Sequence, residues 1–130
     1  MKTRLLVREY MTPVPLTAEA SMSVRKGLEL MREYRIRHLP VAAGNKLVGI
    51  VSDRDLKVAL AFPGPGELSI ADVMHSDIYS VHPNATLKDV VNEMADQKYG
   101  CAVVQGDREG IAGIFTATDA LLAFSEMLSN

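Results

Sequence analysis

An internal repeat constrains the fold of this chain more than any other feature. Met74 lies 63 positions after Met11, and the same offset carries the apolar pattern of the first half onto the second. Further along the repeat the offset becomes 64, because one extra residue lies between two predicted strands, where a turn tolerates an insertion. A unit of about 60 residues buries little of its surface alone, so we expect the two copies to pack together.

The clearest duplicated stretch is residues 49–55 (GIVSDRD), which returns as residues 113–119 (GIFTATD). We call these the first motif and the second motif. Each is an apolar strand ending in a hydroxyl residue, with a carboxylate three positions later in the first turn of a predicted helix. Free N–H groups at a helix N-terminus favour anions, and a hydroxyl beside a carboxylate can bind the hydroxyl groups of a sugar. The candidate residues are Ser52 and Asp55 in the first motif and Thr116 and Asp119 in the second.

Each repeat is predicted to run strand, helix, strand, strand, helix. Val24, Leu28 and Met31 have the spacing of one helix face, and Ser23 precedes them as an N-cap. The second repeat has the same pattern at Thr86, Leu87, Val91 and Met94. The predicted inner strands are residues 39–42, 47–51, 102–105 and 111–115. The closing helices are expected to turn Leu56 and Leu60, or Leu121 and Phe124, toward the core.

The sequence therefore predicts an α/β fold of two tandem βαββα repeats, packed sheet against sheet with the helices outside. Repeat one covers about residues 7–62 and repeat two about residues 70–125. Residues 63–69 are the linker, because alternating proline and glycine at its start cannot continue a helix. Both motifs would then lie in clefts between the two halves.

Composition narrows the possible functions. A net charge of −2 and a pI near 5.9 argue against a nucleic-acid-binding protein. The single cysteine, Cys101, cannot form a disulfide within the chain and is expected to be a small buried side chain. No apolar run approaches the roughly 20 residues that a membrane helix needs. We expect a cytoplasmic protein with no membrane partner.

The ordered combination of these motifs resembles a tandem pair of cystathionine β-synthase-type (CBS) domains, with a looser similarity to the pairs of acetoin-utilisation-type regulators. The resemblance covers about residues 7–125. It is carried by residues 11–13 (MTP), 37–41 (RHLPV) and the first motif in one repeat, and by residues 73–74, 81–87 (VHPNATL) and the second motif in the other.

The resemblance implies that the hydroxyl and aspartate of each motif bind the ribose of an adenine nucleotide. It also implies a phosphate-binding edge formed by Arg37, His38 and Arg54, for which the alternative is a solvated surface cluster. Adenine would lie on apolar residues, and the expected set is Val14, Ile36 and Pro40, or Ile78, Tyr79 and Tyr99. Taken singly, each of these residues is more simply interpreted as an ordinary core residue. For the motif residues the alternative is helix capping, and the two roles can coexist.

The second repeat departs from the first at the basic positions. Residues 37–40 (RHLP) correspond to 100–103 (GCAV), and Asp53 and Arg54 correspond to Ala117 and Thr118. Unequal sites are therefore expected, with most phosphate contacts supplied by the first repeat. The sequence leaves open which cleft Arg37 and His38 serve.

The expected function is a regulatory module that senses AMP, ADP, ATP or S-adenosylmethionine, with no catalytic cofactor and no metal site. A homodimer is expected, since the family commonly pairs through its helices, and the regulated protein would be a separate chain. The alternatives are a structural dimerisation module with vestigial sites, or an enzyme acting on a nucleotide. No nucleophile or acid–base constellation is visible in the sequence to support an enzyme. The spacing of Asp53 and Asp55 leaves a nucleotide-borne magnesium ion as a minor possibility.

Overall fold

The computed structural model describes residues 4–13, 16–62, 64, 66–107 and 110–129. They form two compact units. The central unit contains the described residues from 16 to 78, and the terminal unit contains residues 4–13 together with those from 79 to 129. The predicted α/β class is confirmed, since each unit combines one β-sheet with helices.

After a 3-10 turn at Val7–Glu9, the elements follow in chain order. They are β1 (Thr12–Pro13), β2 (Ala18–Glu19), α1 (Val24–Tyr34), β3 (His38–Ala43), β4 (Lys46–Ser52), α2 (Asp53–Ala61), α3 (Ile70–Val73), β5 (Ser80–Val81), α4 (Leu87–Gln97), β6 (Cys101–Val104), β7 (Gly113–Thr116) and α5 (Ala117–Leu128). Among the described residues, no helix has the length and apolar content required to cross a bilayer.

The two sheets share one strand pattern. In the central unit β2 runs parallel to β3, and β3 runs antiparallel to β4. In the terminal unit β5 and β6 are parallel and β6 and β7 antiparallel, while β1 is added on the outer edge of β7. Each unit has its own apolar core, which includes Leu39, Leu56 and Ile70 in one and Val7 and Phe115 in the other.

Helices α1 and α4 begin where the sequence predicts. The hydroxyl of Ser23 accepts the Lys26 amide at 3.1 Å, and that of Thr86 accepts the Asp89 amide at 3.2 Å. Both predicted N-caps are confirmed. Each of the two is then followed by a residue in the left-handed conformation, Arg35 after α1 and Lys98 after α4. The two repeats therefore also share the conformation of the residue that follows each helix, which the apolar pattern does not specify.

One expectation for the closing helices is wrong. Leu56 is fully buried in α2, but Leu121 and Phe124 of α5 are 68% and 57% exposed. The offset of 64 explains the difference, because it places Ala120 and Ala123 at the positions of Leu56 and Ala59. In α5 these small residues face the core, so its large apolar residues turn outward.

The compact units do not coincide with the two sequence repeats. Residues 4–13 open the first repeat, yet they pack with the strands and helices of the second. Residues 70–78 open the second repeat and pack within the central unit. We call residues 6–13 and 69–76 the exchanged segments. The sequence predicts these segments but assigns each to its own repeat, because a repeat pattern carries no information on which copy a segment packs against.

Candidate functional site

The first motif forms a tight turn between a strand and a helix. Strand β4 ends at Ser52, whose backbone is extended, and α2 begins at the next residue. The Ser52 hydroxyl accepts the Asp55 amide at 3.1 Å, and Oδ2 of Asp55 accepts the Ser52 amide at 2.9 Å. This reciprocal pair is a capping box, which satisfies two amides at the helix start and fixes both side chains.

The second motif repeats this geometry. The Thr116 hydroxyl accepts the Asp119 amide at 3.2 Å, and Oδ2 of Asp119 accepts the Thr116 amide at 2.9 Å. The Thr116 hydroxyl also lies 3.1 Å from the same carboxylate oxygen. The predicted juxtaposition of a hydroxyl and a carboxylate therefore holds in both motifs.

Capping alone does not distinguish these two turns from the rest of the chain. Ser69 and Asp72 form a third capping box at the start of α3, with the Ser69 amide donating to Asp72 at 2.9 Å. The capping interpretation of the motif residues is thus confirmed. A ligand-binding role for the motif residues must therefore rest on a feature that the capping box of Ser69 and Asp72 does not have.

The distinguishing feature is the second oxygen of each motif carboxylate. Oδ1 of Asp55 lies 3.2 Å from Nε2 of His75, and Oδ1 of Asp119 accepts the Thr12 hydroxyl at 3.0 Å. His75 and Thr12 belong to the exchanged segments and are related by the offset of 63. The sequence analysis did not identify this contact, although applying the offset of 63 to Thr12 pairs the two positions.

The motif glycines explain how the exchanged segments come so close. A Cβ added to Gly49 would lie 2.5 Å from Sδ of Met74 and 3.0 Å from the His75 carbonyl oxygen. A Cβ on Gly113 would lie 2.8 Å from Sδ of Met11 and 2.7 Å from the Thr12 carbonyl oxygen. Real side chains do not approach this closely, so glycine is required for packing. Each glycine brings a segment of one repeat against the motif of the other.

The basic residues at the start of β3 lie beside the first motif, within the central unit. His38 is the cross-strand partner of Ser52, and the Arg37 carbonyl oxygen accepts the Asp53 amide at 2.9 Å. Directly paired residues on neighbouring strands present their side chains on the same face. Arg54 is exposed in the first turn of α2.

The equivalent places in the terminal unit carry no charge. Cys101 pairs with Thr116, and the Gly100 carbonyl oxygen accepts the Ala117 amide at 3.0 Å. Burial raises the pKa of the Cys101 thiol to about 11, so this side chain is a neutral thiol at neutral pH. The two motifs therefore share their capping geometry but differ in the surrounding charge.

Burial also affects the ionisable groups of the first motif. It lowers the pKa of His38, and this outweighs the opposing effect of Asp53 and Asp55, while Arg37 adds to the lowering. His38 is then uncharged at neutral pH and offers a hydrogen bond rather than a positive charge. Burial by itself would raise the pKa of Asp55, but hydrogen bonds from Ser52 and His75 outweigh it, so the pKa of Asp55 is lowered. Asp55 is thus held as a carboxylate.

The apolar residues expected to contact adenine have different exposures. Ile36 is half-buried. Pro40 is fully buried and has no surface free to contact adenine, so the expectation for Pro40 is wrong. Val14 lies outside the described residues. Ile78, Tyr79 and Tyr99 are half-buried, and the two tyrosine rings stack with centroids 5.1 Å apart and an interplanar angle of 24°.

In the part of the chain that the structure describes, no three His, Cys, Asp or Glu side chains are grouped to hold a metal ion. The chemistry that the two motifs offer is hydrogen bonding to neighbouring hydroxyl groups, with added positive charge near the first motif only.

Comparisons with known proteins agree with this architecture. The family model for the CBS domain matches residues 7–61 and again residues 70–126. An inosine-5'-monophosphate dehydrogenase of Korarchaeum cryptofilum is 36% identical over 104 residues, which are 80% of this chain but 21% of that enzyme. The first three curated relatives are all much longer proteins, of which this chain spans about a fifth to a quarter. The CBS domain-containing protein YhcV of Bacillus subtilis is 25% identical over 93% of this chain and 85% of its own length.

Among solved structures, a protein described as an acetoin utilization protein, AcuB, of Vibrio cholerae has a TM-score of 0.86 and 33% identity, covering 98% of this chain and 97% of that chain. The CBS domain pair of protein MJ0100, in complex with 5'-methylthioadenosine and S-adenosyl-L-methionine, has a TM-score of 0.84 and 25% identity over 96% of this chain and 99% of its own. Two further similar structures, each with a TM-score of 0.76, are CBSX2 in complex with AMP and the CBS domain of a bacterial CNNM/CorC family Mg2+ transporter in complex with ATP. They are 25% and 27% identical to this chain, and cover 95% and 90% of it and 98% and 84% of their own chains.

Proposed function

Because the chain belongs to the CBS domain family and carries two such domains in tandem, we propose that it is a regulatory module that binds an adenosine-containing molecule. The candidates are AMP, ADP, ATP and S-adenosylmethionine. Ser52 and Asp55, and Thr116 and Asp119, would bind the ribose hydroxyl groups. The module would have no catalytic cofactor, and a cytoplasmic location is part of the proposal.

One observation carries the proposal. Both motif carboxylates use Oδ2 for helix capping and direct Oδ1 to an exposed polar side chain of an exchanged segment. A carboxylate oxygen has more than one acceptor position, so Oδ1 can accept a ribose hydroxyl while Oδ2 keeps the helix capped. The similar structures in complex with AMP, ATP, 5'-methylthioadenosine and S-adenosyl-L-methionine support a ligand of this class.

The two sites would not be equal. Arg37, Arg54 and His38 would meet phosphate groups at the first motif, where arginine offers two aligned donors. The half-buried Ile36, Ile78, Tyr79 and Tyr99 remain the proposed adenine contacts. Phosphorylated ligands are therefore expected to prefer the first motif.

A thermal-shift panel of AMP, ADP, ATP, S-adenosylmethionine and NADH tests the proposal. A ligand that binds only the folded protein raises its melting temperature in proportion to the logarithm of ligand concentration once the site is saturated. We expect at least one adenosine compound to do so, with guanosine 5'-monophosphate as the base control. No shift with any adenosine compound would favour a structural module with vestigial sites, and turnover of ATP would favour an enzyme.

We also propose a homodimer, which is supported by the outer face of α5. Five apolar side chains on this helix are 44% to 68% exposed, and some of them line a groove of about 720 Å³ against α4. Exposed apolar patches of this kind mark interaction surfaces. The five are Leu121, Leu122, Phe124, Met127 and Leu128.

Leu122→Glu is expected to shift the protein from dimer to monomer, measured as molecular mass by light scattering after size exclusion. Val58→Glu is the matched control, since Val58 occupies the equivalent position of α2 and is 53% exposed. A dimer mass that survives Leu122→Glu would contradict this interface.

A further inference from the structure

His75 contacts the first motif through a bond that its own protonation must change. Its Nε2 lies 3.2 Å from Oδ1 of Asp55, and the side chains of His75 and Asp55 are 65% and 24% exposed. Both nitrogens of a protonated imidazole are donors, so protonation adds a charge to this contact. The carboxylate oxygen nearest the imidazole, Oδ1, takes no part in helix capping. It is therefore the oxygen that is available to a ligand.

The backbone holds His75 at this place. The amide of Ile50 donates to the His75 carbonyl oxygen at 2.9 Å, and the His75 amide donates back to the Ile50 carbonyl oxygen at 2.9 Å. These bonds fix the residue against β4, next to the motif. The mostly exposed imidazole is then placed by its own backbone rather than by surrounding side chains.

We propose that His75 is a further residue of the first site and that its protonation weakens the binding of an uncharged adenosine ligand there. The inference rests on the proposed function and concerns the same carboxylate. A positively charged imidazole competes with the ribose hydroxyls for Oδ1 of Asp55, whereas a neutral imidazole competes less. Affinity at the first site should therefore fall as the pH falls through the range in which an exposed histidine titrates.

The other charged groups near the site do not account for the same response. Asp53 and Arg37 are of residue types that do not ordinarily change charge in the range in which histidine does. His38 is half-buried, and burial lowers the pKa of its imidazole, which favours the neutral form. Asp77, two residues along the chain from His75, is exposed and is of the same residue type as Asp53.

The second motif supplies the internal control. Thr12 occupies the position of His75 and donates its hydroxyl to Asp119 at 3.0 Å. A threonine hydroxyl does not titrate in this range, and neither does the neutral thiol of Cys101 at the position of His38. Binding at the second site is therefore expected to be independent of pH where binding at the first is not.

The test uses adenosine as the probe, because it is uncharged across this range. Its affinity for each site is read from the amide NMR signals of Asp55 and Asp119 in the full chain, from about pH 8 to about pH 5.5. We expect about two- to fivefold weaker binding at the first site at the lower pH, the range that an exposed ion pair supplies, and no change at the second. By linkage, adenosine should also lower the pH at which the His75 imidazole signal titrates.

Two reciprocal variants complete the experiment. His75→Thr should remove the pH dependence at the first site, and Thr12→His should create it at the second. Adenosine binding at the first site with equal affinity at both pH values, or with a pH dependence that survives His75→Thr, would overturn the inference while leaving the proposed function intact. No change of any amide signal with adenosine would overturn the inference, and it would overturn the proposed function as well if the thermal-shift panel also showed no binding.

Discussion

Gly113→Ala is expected to lower the free energy of unfolding by about 1–3 kcal/mol, the usual cost of forcing an extra carbon into a packed site. The new Cβ would lie 2.7 Å from the Thr12 carbonyl oxygen, which is a backbone atom and cannot rotate away. Gly113 pairs with Pro13 in the ladder between β1 and β7, so relief of the clash requires β1 to move. For a chain of 130 residues this corresponds to a decrease of about 4–12 °C in melting temperature.

Gly66→Ala is the matched control for this substitution, since a Cβ there meets no atom within 4 Å. Gly49→Ala should have an intermediate effect, because its closest neighbour is the flexible end of Met74 rather than backbone. Calorimetry of the three variants gives the comparison. A Gly113→Ala protein as stable as the Gly66→Ala protein would show that the exchanged segment is not held by this contact.

Asp55→Asn is expected to weaken binding of an adenosine ligand at the first site by about tenfold to a hundredfold. A carboxylate that accepts hydrogen bonds from a ribose contributes about 1.5–3 kcal/mol through a charged acceptor, and the amide loses both the charge and part of the acceptor capacity. The amide oxygen of asparagine can still accept the Ser52 amide, so the start of α2 should remain capped. Isothermal titration calorimetry with the ligand that gives the largest thermal shift measures the loss.

Asp72→Asn controls for capping, since Asp72 forms the same box and, among the described residues, its Oδ1 makes no hydrogen bond of the kind that Asp55 makes with His75. It should leave affinity unchanged. Asp119→Asn should lower affinity at the second site, whereas the loss caused by Asp55→Asn should be larger for phosphorylated ligands, because the basic residues lie beside the first motif. Equal losses of AMP affinity in the Asp55 and Asp119 variants would contradict the proposal of unequal sites.

Local features of this fold could be predicted from the sequence because short-range chemistry determines them. The spacing of Val24, Leu28 and Met31 predicts a helix, and the hydroxyl of Ser23 predicts its start, without reference to the rest of the chain. The turns at Ser52 and Thr116 follow equally from a strand that ends in a hydroxyl residue three positions before a carboxylate.

Features that depend on distant contacts could not be predicted in the same way. The outward turn of Leu121 and Phe124 depends on which face of α5 can approach the sheet, and there Ala123 is the residue that fits. The contact between His75 and Asp55 depends on which repeat receives the exchanged segment. An apolar periodicity identifies a buried face, but it does not identify the partner that buries it.

The exchange of segments also determines whether one half of this chain can fold without the other. A cut within residues 62–66 would leave an N-terminal fragment without the Met74 that fills the space at Gly49, and a C-terminal fragment without the Met11 that fills the space at Gly113. Each fragment would keep the long helices of one unit and three of its strands but lack the exchanged segment that completes it, which for the C-terminal fragment includes β1. Neither fragment would fold autonomously, and mixing the two would restore a folded protein by complementation.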